Sequence, residues 1–301
     1  MRLWQWLLVV VVVVGIGVAV YMLKPVNGPA RDLTLTADAT RGAYLIRVGG
    51  CVSCHTNPNP DGDLLTDDRV PMLSGGAPLS TPFGTFYPPN ITSHPVAGIG
   101  SWTLQQFSDA MSDGNGPQGH LYPAFPFDNY TLMSDQEIVD LYAALREVPP
   151  IEVKAPDHQI IFPFNIRLAM AGWKNLFFQP RRFEPDPNQS EQWNRGAYLA
   201  NGPAHCAACH SPRNLFGAID PGREFTGNTA GGPGGRAPAI TREELLGEGY
   251  DETSLIQALQ TGFTPNFDSL GGAMGEVILD GTSQWTPEDL AAVSRYLFSE
   301  R

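Results

Sequence analysis

Every cysteine of the 301-residue chain lies in one of two copies of the pentapeptide C-x-x-C-H, Cys51-Val-Ser-Cys54-His55 and Cys206-Ala-Ala-Cys209-His210. That pattern is the signature of covalent attachment of a c-type haem. Two thiols three positions apart reach the two vinyl groups of one porphyrin, and the adjacent imidazole then lies under the iron as an axial ligand. Three other uses of paired cysteines explain less. A zinc site built from the two pairs leaves the histidines without a reason. A thioredoxin-like pair sits after a strand in a βαβ unit, and no Val/Ile-rich strand precedes either copy. A disulfide across C-x-x-C closes a very tight loop that adds little to the stability of a small secreted domain.

The chain also repeats itself around these motifs. Arg41-Gly-Ala-Tyr-Leu45 precedes the first and Arg195-Gly-Ala-Tyr-Leu199 the second. Further on, Trp102 to Gly114 parallels Tyr250 to Gly262, each with apolar residues at helical spacing and a glycine at the stop. Each half closes on a capped helix, Ser134-Asp-Gln-Glu137 and Thr286-Pro-Glu-Asp289, the first a capping box and the second with proline in its first turn. A helix, the haem motif, a loop, a middle helix, a second loop and a final helix therefore occur twice. This order resembles the class I cytochrome c fold, with crossed first and last helices. The expectation is a mainly α protein of two tandem class I cytochrome c domains with an N-terminal transmembrane helix. Its parts are an anchor (1–24), a tether (25–36), domain 1 (37–149), an aromatic-rich interdomain segment (150–190) and domain 2 (191–301). Composition fits: 32 Gly and 27 Pro are too many for a helical bundle, while 42% hydrophobic residues are too many for disorder. Small loop-rich domains bury limited apolar area, so the haems are expected to complete the cores.

A c-type iron normally takes a second axial ligand, most often methionine, from the loop before the last helix. Met274, in Gly271-Gly-Ala-Met-Gly275, is the one methionine after the second motif. It is the expected ligand of the second iron, in a loop whose glycines let backbone approach the porphyrin. In the first half the matching region, Tyr122-Pro-Ala-Phe125-Pro-Phe127, has no methionine. Met133, just before Ser134, is either the ligand or a hydrophobic staple against Ile138. Met72 and Met111 read as packing residues, and His94 and His120 as loop histidines. The metal-ligand set is thus His55, Met133, His210 and Met274. An open first iron would permit peroxidase-like chemistry instead.

Leu3 to Leu23 is almost wholly apolar, and at about 1.5 Å per residue it crosses a bilayer of roughly 30 Å. It reads as an uncleaved anchor followed by a short tether. Haem attachment to C-x-x-C-H takes place outside the bacterial cytoplasmic membrane, so the expected arrangement is a single N-terminal pass of the inner membrane with the haem domains in the periplasm. A net charge of −12 makes nucleic acid a poor partner. The segment Phe162 to Phe178 is too aromatic for a flexible spacer and reads as a brace between the domains. Gly231-Gly-Pro-Gly-Gly235 reads as a loop, and no nucleophile–base pair marks a catalytic set.

Several stretches carry a family resemblance: Phe162-Pro-Phe-Asn-Ile-Arg167, Ala171-Gly-Trp-Lys174, Thr81-Pro-Phe-Gly84, Asn90-Ile-Thr92, His120-Leu-Tyr-Pro-Ala124 and Gly271 to Gly275. Together they resemble the cytochrome c subunits of bacterial membrane-bound dehydrogenases of the gluconate, alcohol, aldehyde and nicotinate type, over most of residues 37 to 301. The resemblance implies an electron-transfer protein with two covalently bound haem c groups. It would take electrons from a dehydrogenase subunit and pass them to quinone, an oxidase or another cytochrome. Two features depart from the family: many members carry three haem domains, and many have Ala-Met-Pro-Tyr where this chain has Ala124-Phe-Pro-Phe127.

Overall fold

The structure, a computed structural model, describes residues 3–56, 72–232 and 235–300. Helix α1 (Leu3–Met22) is apolar except for Gln5 and Tyr21, and none of its residues is buried. The first half then runs through α2 (Ala39–Val48), the single turn α3 (Cys51–His55) and the short strands β1 (Leu79–Thr81) and β2 (Gly84–Phe86). It continues with α4 (Leu104–Asp113), a two-residue ladder of β3 (Asn115–Gly116) with β4 (Gly119–His120), the turn α5 (Phe127–Tyr130) and α6 (Asp135–Glu147). The second half repeats the helices with α8 (Glu191–Asn201), α9 (Cys206–His210), α11 (Glu252–Thr261) and α13 (Pro287–Leu297), and adds α10 (Arg242–Gly247) and α12 (Gly272–Asp280). Between them lie β5 (Gln159–Ile160), which joins β2 as a third antiparallel strand, and α7 (Ala169–Phe177).

The end signals act as the sequence predicts. Ser134 and Glu137 form the reciprocal capping box of α6, and Thr286 caps α13 with Pro287 in its first turn. Gly114 and Gly262 stop α4 and α11 in the left-handed conformation at φ 60° and 79°.

In each half the first helix packs across the last, α2 on α6 and α8 on α13. The glycine of the repeated Arg-Gly-Ala-Tyr-Leu sits at the crossing. A Cβ on Gly42 would lie 2.0 Å from the Asp140 carbonyl oxygen, and one on Gly196 would lie 1.9 Å from that of Ala292. Asp140 and Ala292 each stand six residues beyond their helix cap, so the two crossings are equivalent. Separate apolar clusters surround them, one with Leu45, Val52, Phe107 and Ile138 and the other with Leu199, Phe225, Leu255 and Leu290.

The repeated tyrosine reaches across to the opposite half. Tyr44 Oη donates to Asp289 of α13 at 2.7 Å, and Tyr198 Oη donates to Glu137 of α6. Glu137 and Asp289 occupy the same position of their helices, three past the cap. Each half thus offers a tyrosine to the other half's last helix, a self-complementary contact of the kind a two-fold axis produces.

Two expectations need correction. Met274 stands in helix α12 rather than in a loop, because Ile278 buries itself (5% exposed) and Glu276 to Asp280 can continue a helix despite the glycines before them. The glycine-rich stretch at 231–235 belongs to a hairpin: Gly231 and Gly232 end β6 (Asn228–Gly232) and Gly235 begins β7 (Gly235–Ala237), while 233 and 234 lie outside the described residues. The expected tether is also held down. Gly28 N–H donates to Asp113 at 2.8 Å, and the Arg31 guanidinium donates to Asp135 at 3.1 Å and to the carbonyls of Met133 and Thr131.

Candidate haem attachment sites

Both C-x-x-C-H pentapeptides form one helical turn, entered through a left-handed residue that is Gly50 (φ 63°) in one half and His205 (φ 41°) in the other. The imidazoles are oriented alike. His55 Nδ1 lies 2.7 Å from the carbonyl oxygen of Pro89, and His210 Nδ1 lies 2.8 Å from that of Pro238. A carbonyl only accepts, so each Nδ1 carries the proton and Nε2 is left with the lone pair that an iron ligand needs. Burial holds both histidines below their ordinary pKa, outweighing the prolyl carbonyls, which keeps them neutral and able to ligate.

The shell behind them is duplicated in detail. Gly75 N–H donates to the His55 carbonyl and Gly227 N–H to the His210 carbonyl, both at 2.8 Å. Leu73 (φ 67°) and Phe225 (φ 66°) are left-handed at matching places. Their N–H groups donate to Thr56 Oγ1 and Ser211 Oγ, and their carbonyls accept from Ile91 and Ile240 at 2.9 Å. Sequence reasoning did not assign Pro89 and Pro238. The signal was present as a further repeat, Pro89-Asn-Ile-Thr92 with Pro238-Ala-Ile-Thr241.

The cysteines are thiols, not disulfides. Burial pushes Cys51 and Cys206 up to about 12 and Cys54 up to about 11, and raises Cys209 as well. None is the poised thiolate that disulfide exchange calls for. Among the described residues, no three His, Cys, Asp or Glu side chains gather where they could hold a metal ion. The residues do fit a porphyrin. Cys51 packs on the cluster containing Val52 and Met133, and Cys206 on the cluster that Met274 also joins. In the second half, Asn228 (1% exposed) and Trp285 Nε1 are buried polar groups with no hydrogen-bond partner among the described residues, the donors that a propionate-bearing group would satisfy.

The chain is 38% identical over 281 residues to a diheme cytochrome c-type protein of Cereibacter sphaeroides, aligning 92% of this chain with 91% of that one. The chain belongs to the dihaem c-type cytochrome family. Other family relatives are longer. A nicotinate dehydrogenase subunit of Pseudomonas putida is 38% identical over 280 residues, and this chain spans 22% of its length. The fructose dehydrogenase cytochrome subunit of Gluconobacter japonicus is 37% identical over 265 residues, and this chain spans 52% of it. No protein-family model matches the chain.

The remaining candidates are placed as follows. Met133 is buried (1% exposed) in the first cluster beside Ile138. By its place before the cap it corresponds to Trp285. Met111 is buried in α4, and Met72 is exposed. His94 Nδ1 accepts the N–H groups of Val96 and Ala97 in its own turn, and His120 Nδ1 pairs with Asn115 at 3.0 Å. His158 packs edge-on to Phe86 and Tyr122 and accepts the Tyr87 N–H.

The two attachment turns also lie side by side. A Cβ on Gly50 would come within 3.1 Å of His205 Cε1, and His205 meets the Tyr130 ring edge-on at 5.5 Å. Tyr130 Oη donates to the Gly49 carbonyl at 2.6 Å. The Cys54 thiol is raised first by burial and then by the charge of Cys209, and α12 packs against α3.

Proposed function

We propose that this dihaem cytochrome is an electron relay of two tandem class I domains, bounded as the sequence predicts. It is held by α1 in the bacterial inner membrane with its haem domains in the periplasm. Its donor is a dehydrogenase subunit and its acceptor quinone, an oxidase or another cytochrome. Covalently bound haem would supply one-electron redox chemistry at each site. Cys51, Cys54 and His55 hold one group and Cys206, Cys209 and His210 the other, with Met133 and Met274 as sixth ligands. The observation that carries this reading is the contact of the two attachment turns through Gly50, His205 and Tyr130. An enzyme needs one open iron, whereas a relay needs two sites brought together, and the exchanged Tyr44 and Tyr198 tie the two halves to each other elsewhere.

The sixth ligands provide the test. Carbon monoxide added to the reduced protein is expected to bind neither iron. Met133→Ala and Met274→Ala are each expected to open one iron to it and to remove half of the iron–methionine absorption of the oxidised protein. Rapid stoichiometric binding at one iron of the unaltered protein would overturn the relay in favour of a peroxidase-like enzyme.

A further inference from the structure

Helix α7 is inverted relative to an ordinary surface helix. Its lysine, Lys174, is 1% exposed, while Leu176 is 56% exposed and Leu168, at the helix start, 59%. The Lys174 ammonium donates to the carbonyls of Asp113 and Gly114 and to Asn115 Oδ1 at 2.6–2.9 Å, which satisfies all three of its protons. Arg167 is also drawn inward, donating to the His120 carbonyl at 2.9 Å and lying over the Tyr122 ring. With Lys174 buried and Arg167 drawn inward, the outer surface is dominated by Ile161, Phe162, Ile166, Leu168 and Leu176, each between 48% and 77% exposed, with Asn165 the exposed polar residue among them. No carboxylate occurs between Asp157 and Glu184, in a chain where 31 acids face 19 bases.

The occupant of this face is indicated by what adjoins it. Leu168, Gly172 and Leu176 are spaced by four and share one side of the helix, and Gly172 is where the end of α1 docks. A Cβ there would meet Met22 Cε at 2.7 Å. The Asn175 amide donates to the carbonyls of Met22 at 3.3 Å and Lys24 at 2.8 Å, closing the C-terminal end of α1. The 20 residues of α1 rise about 30 Å, the thickness of the hydrocarbon core, so its end lies at the bilayer surface and holds α7 there.

From this geometry we infer that the exposed face of residues 161–176 rests on the lipid bilayer as a second, in-plane membrane contact. The apolar side chains enter the headgroup boundary, and the absence of carboxylates removes repulsion from anionic lipid. The inference rests on the reading of α1 as the anchor. The full haem-loaded chain can be reconstituted into vesicles of anionic phospholipid that contain a lipid with a photoactivatable acyl chain, and the labelled peptides mapped by mass. The expected result is label in both α1 and 159–177, with the latter lowered about tenfold by Leu168→Glu together with Leu176→Glu at unchanged haem content. Label in α1 alone overturns the inference and leaves the anchor intact. Label in neither overturns both. In native membranes, a crosslink from 161–176 to a protein in place of lipid also overturns it.

Discussion

The two haem-motif halves agree closely behind the histidine and diverge around it. On the shared side, Pro89 and Pro238, Leu73 and Phe225, and Gly75 and Gly227 repeat one hydrogen-bond pattern within 0.1 Å. At other matched positions the halves differ: Gly76 and Met133 of the first half stand where the second has Asn228 and Trp285. The shared part fixes the imidazole tautomer through one carbonyl in each half. In the proposed haem sites the divergent part would change polarity and hydrogen bonding around the group, which are levers on its potential. A duplicated module can therefore keep one attachment chemistry while its two sites become electrochemically distinct.

The likeness of the halves is most severely tested at the helix crossings. Gly42→Val and Gly196→Val each force a side chain into backbone, with the carbonyl 2.0 Å and 1.9 Å from the new Cβ. Each is expected to cost roughly 3 kcal/mol or more and to deplete haem from its own half. Haem stain on proteolytic halves reads this out, and loss from both halves alike would mean that they do not fold as separate units. The reciprocal tyrosines separate the halves more finely. Tyr198→Phe is expected to destabilise by about 2 kcal/mol in urea titration. Tyr44→Phe should cost less, because Asp289 keeps a charged bidentate pair with Arg195 at 2.7 and 2.8 Å, whereas Glu137 keeps mainly its neutral capping bonds from Ser134. Equal losses would argue against the ranking.

The smallest expected effect is confined to acid. Asp140 has no carboxylate counterpart, since Ala292 takes its place. Burial alone would raise its pKa, but hydrogen bonds from Arg41, the Asp38 N–H and Gln136 outweigh that and hold it below the ordinary value. A carboxyl depressed in the folded state contributes stability above its unfolded pKa of about 3.9 and loses it as pH falls through the folded value. Asp140→Asn is therefore expected to flatten the stability curve below about pH 4 and to lower the plateau above it. An unchanged acid limb would show that other carboxylates set it.

Much of this was legible in the chain because the repeat supplies its own internal control. The caps at Ser134 and Thr286, the glycine stops and both attachment motifs are local signals, and local signals survive folding. Met274 was placed one structural class away, in a loop rather than in α12, because burial of Ile278 one helical turn further on decides the backbone there. The prolyl carbonyls at Pro89 and Pro238 act through main-chain atoms, which leave no side-chain chemistry to read. The approach of His205 to Gly50 depends on how the halves face each other, which no local signal in the chain carries.

Arg31 has a mechanical consequence. With its guanidinium 5% exposed and fixed to Asp135 and two carbonyls just ahead of α6, the stretch after α1 works as a stiff handle instead of a leash. On the proposed anchoring, any tilt of the N-terminal helix would pass directly to the frame that carries the first attachment turn, and the proposed relay would meet its partners at a fixed height and angle.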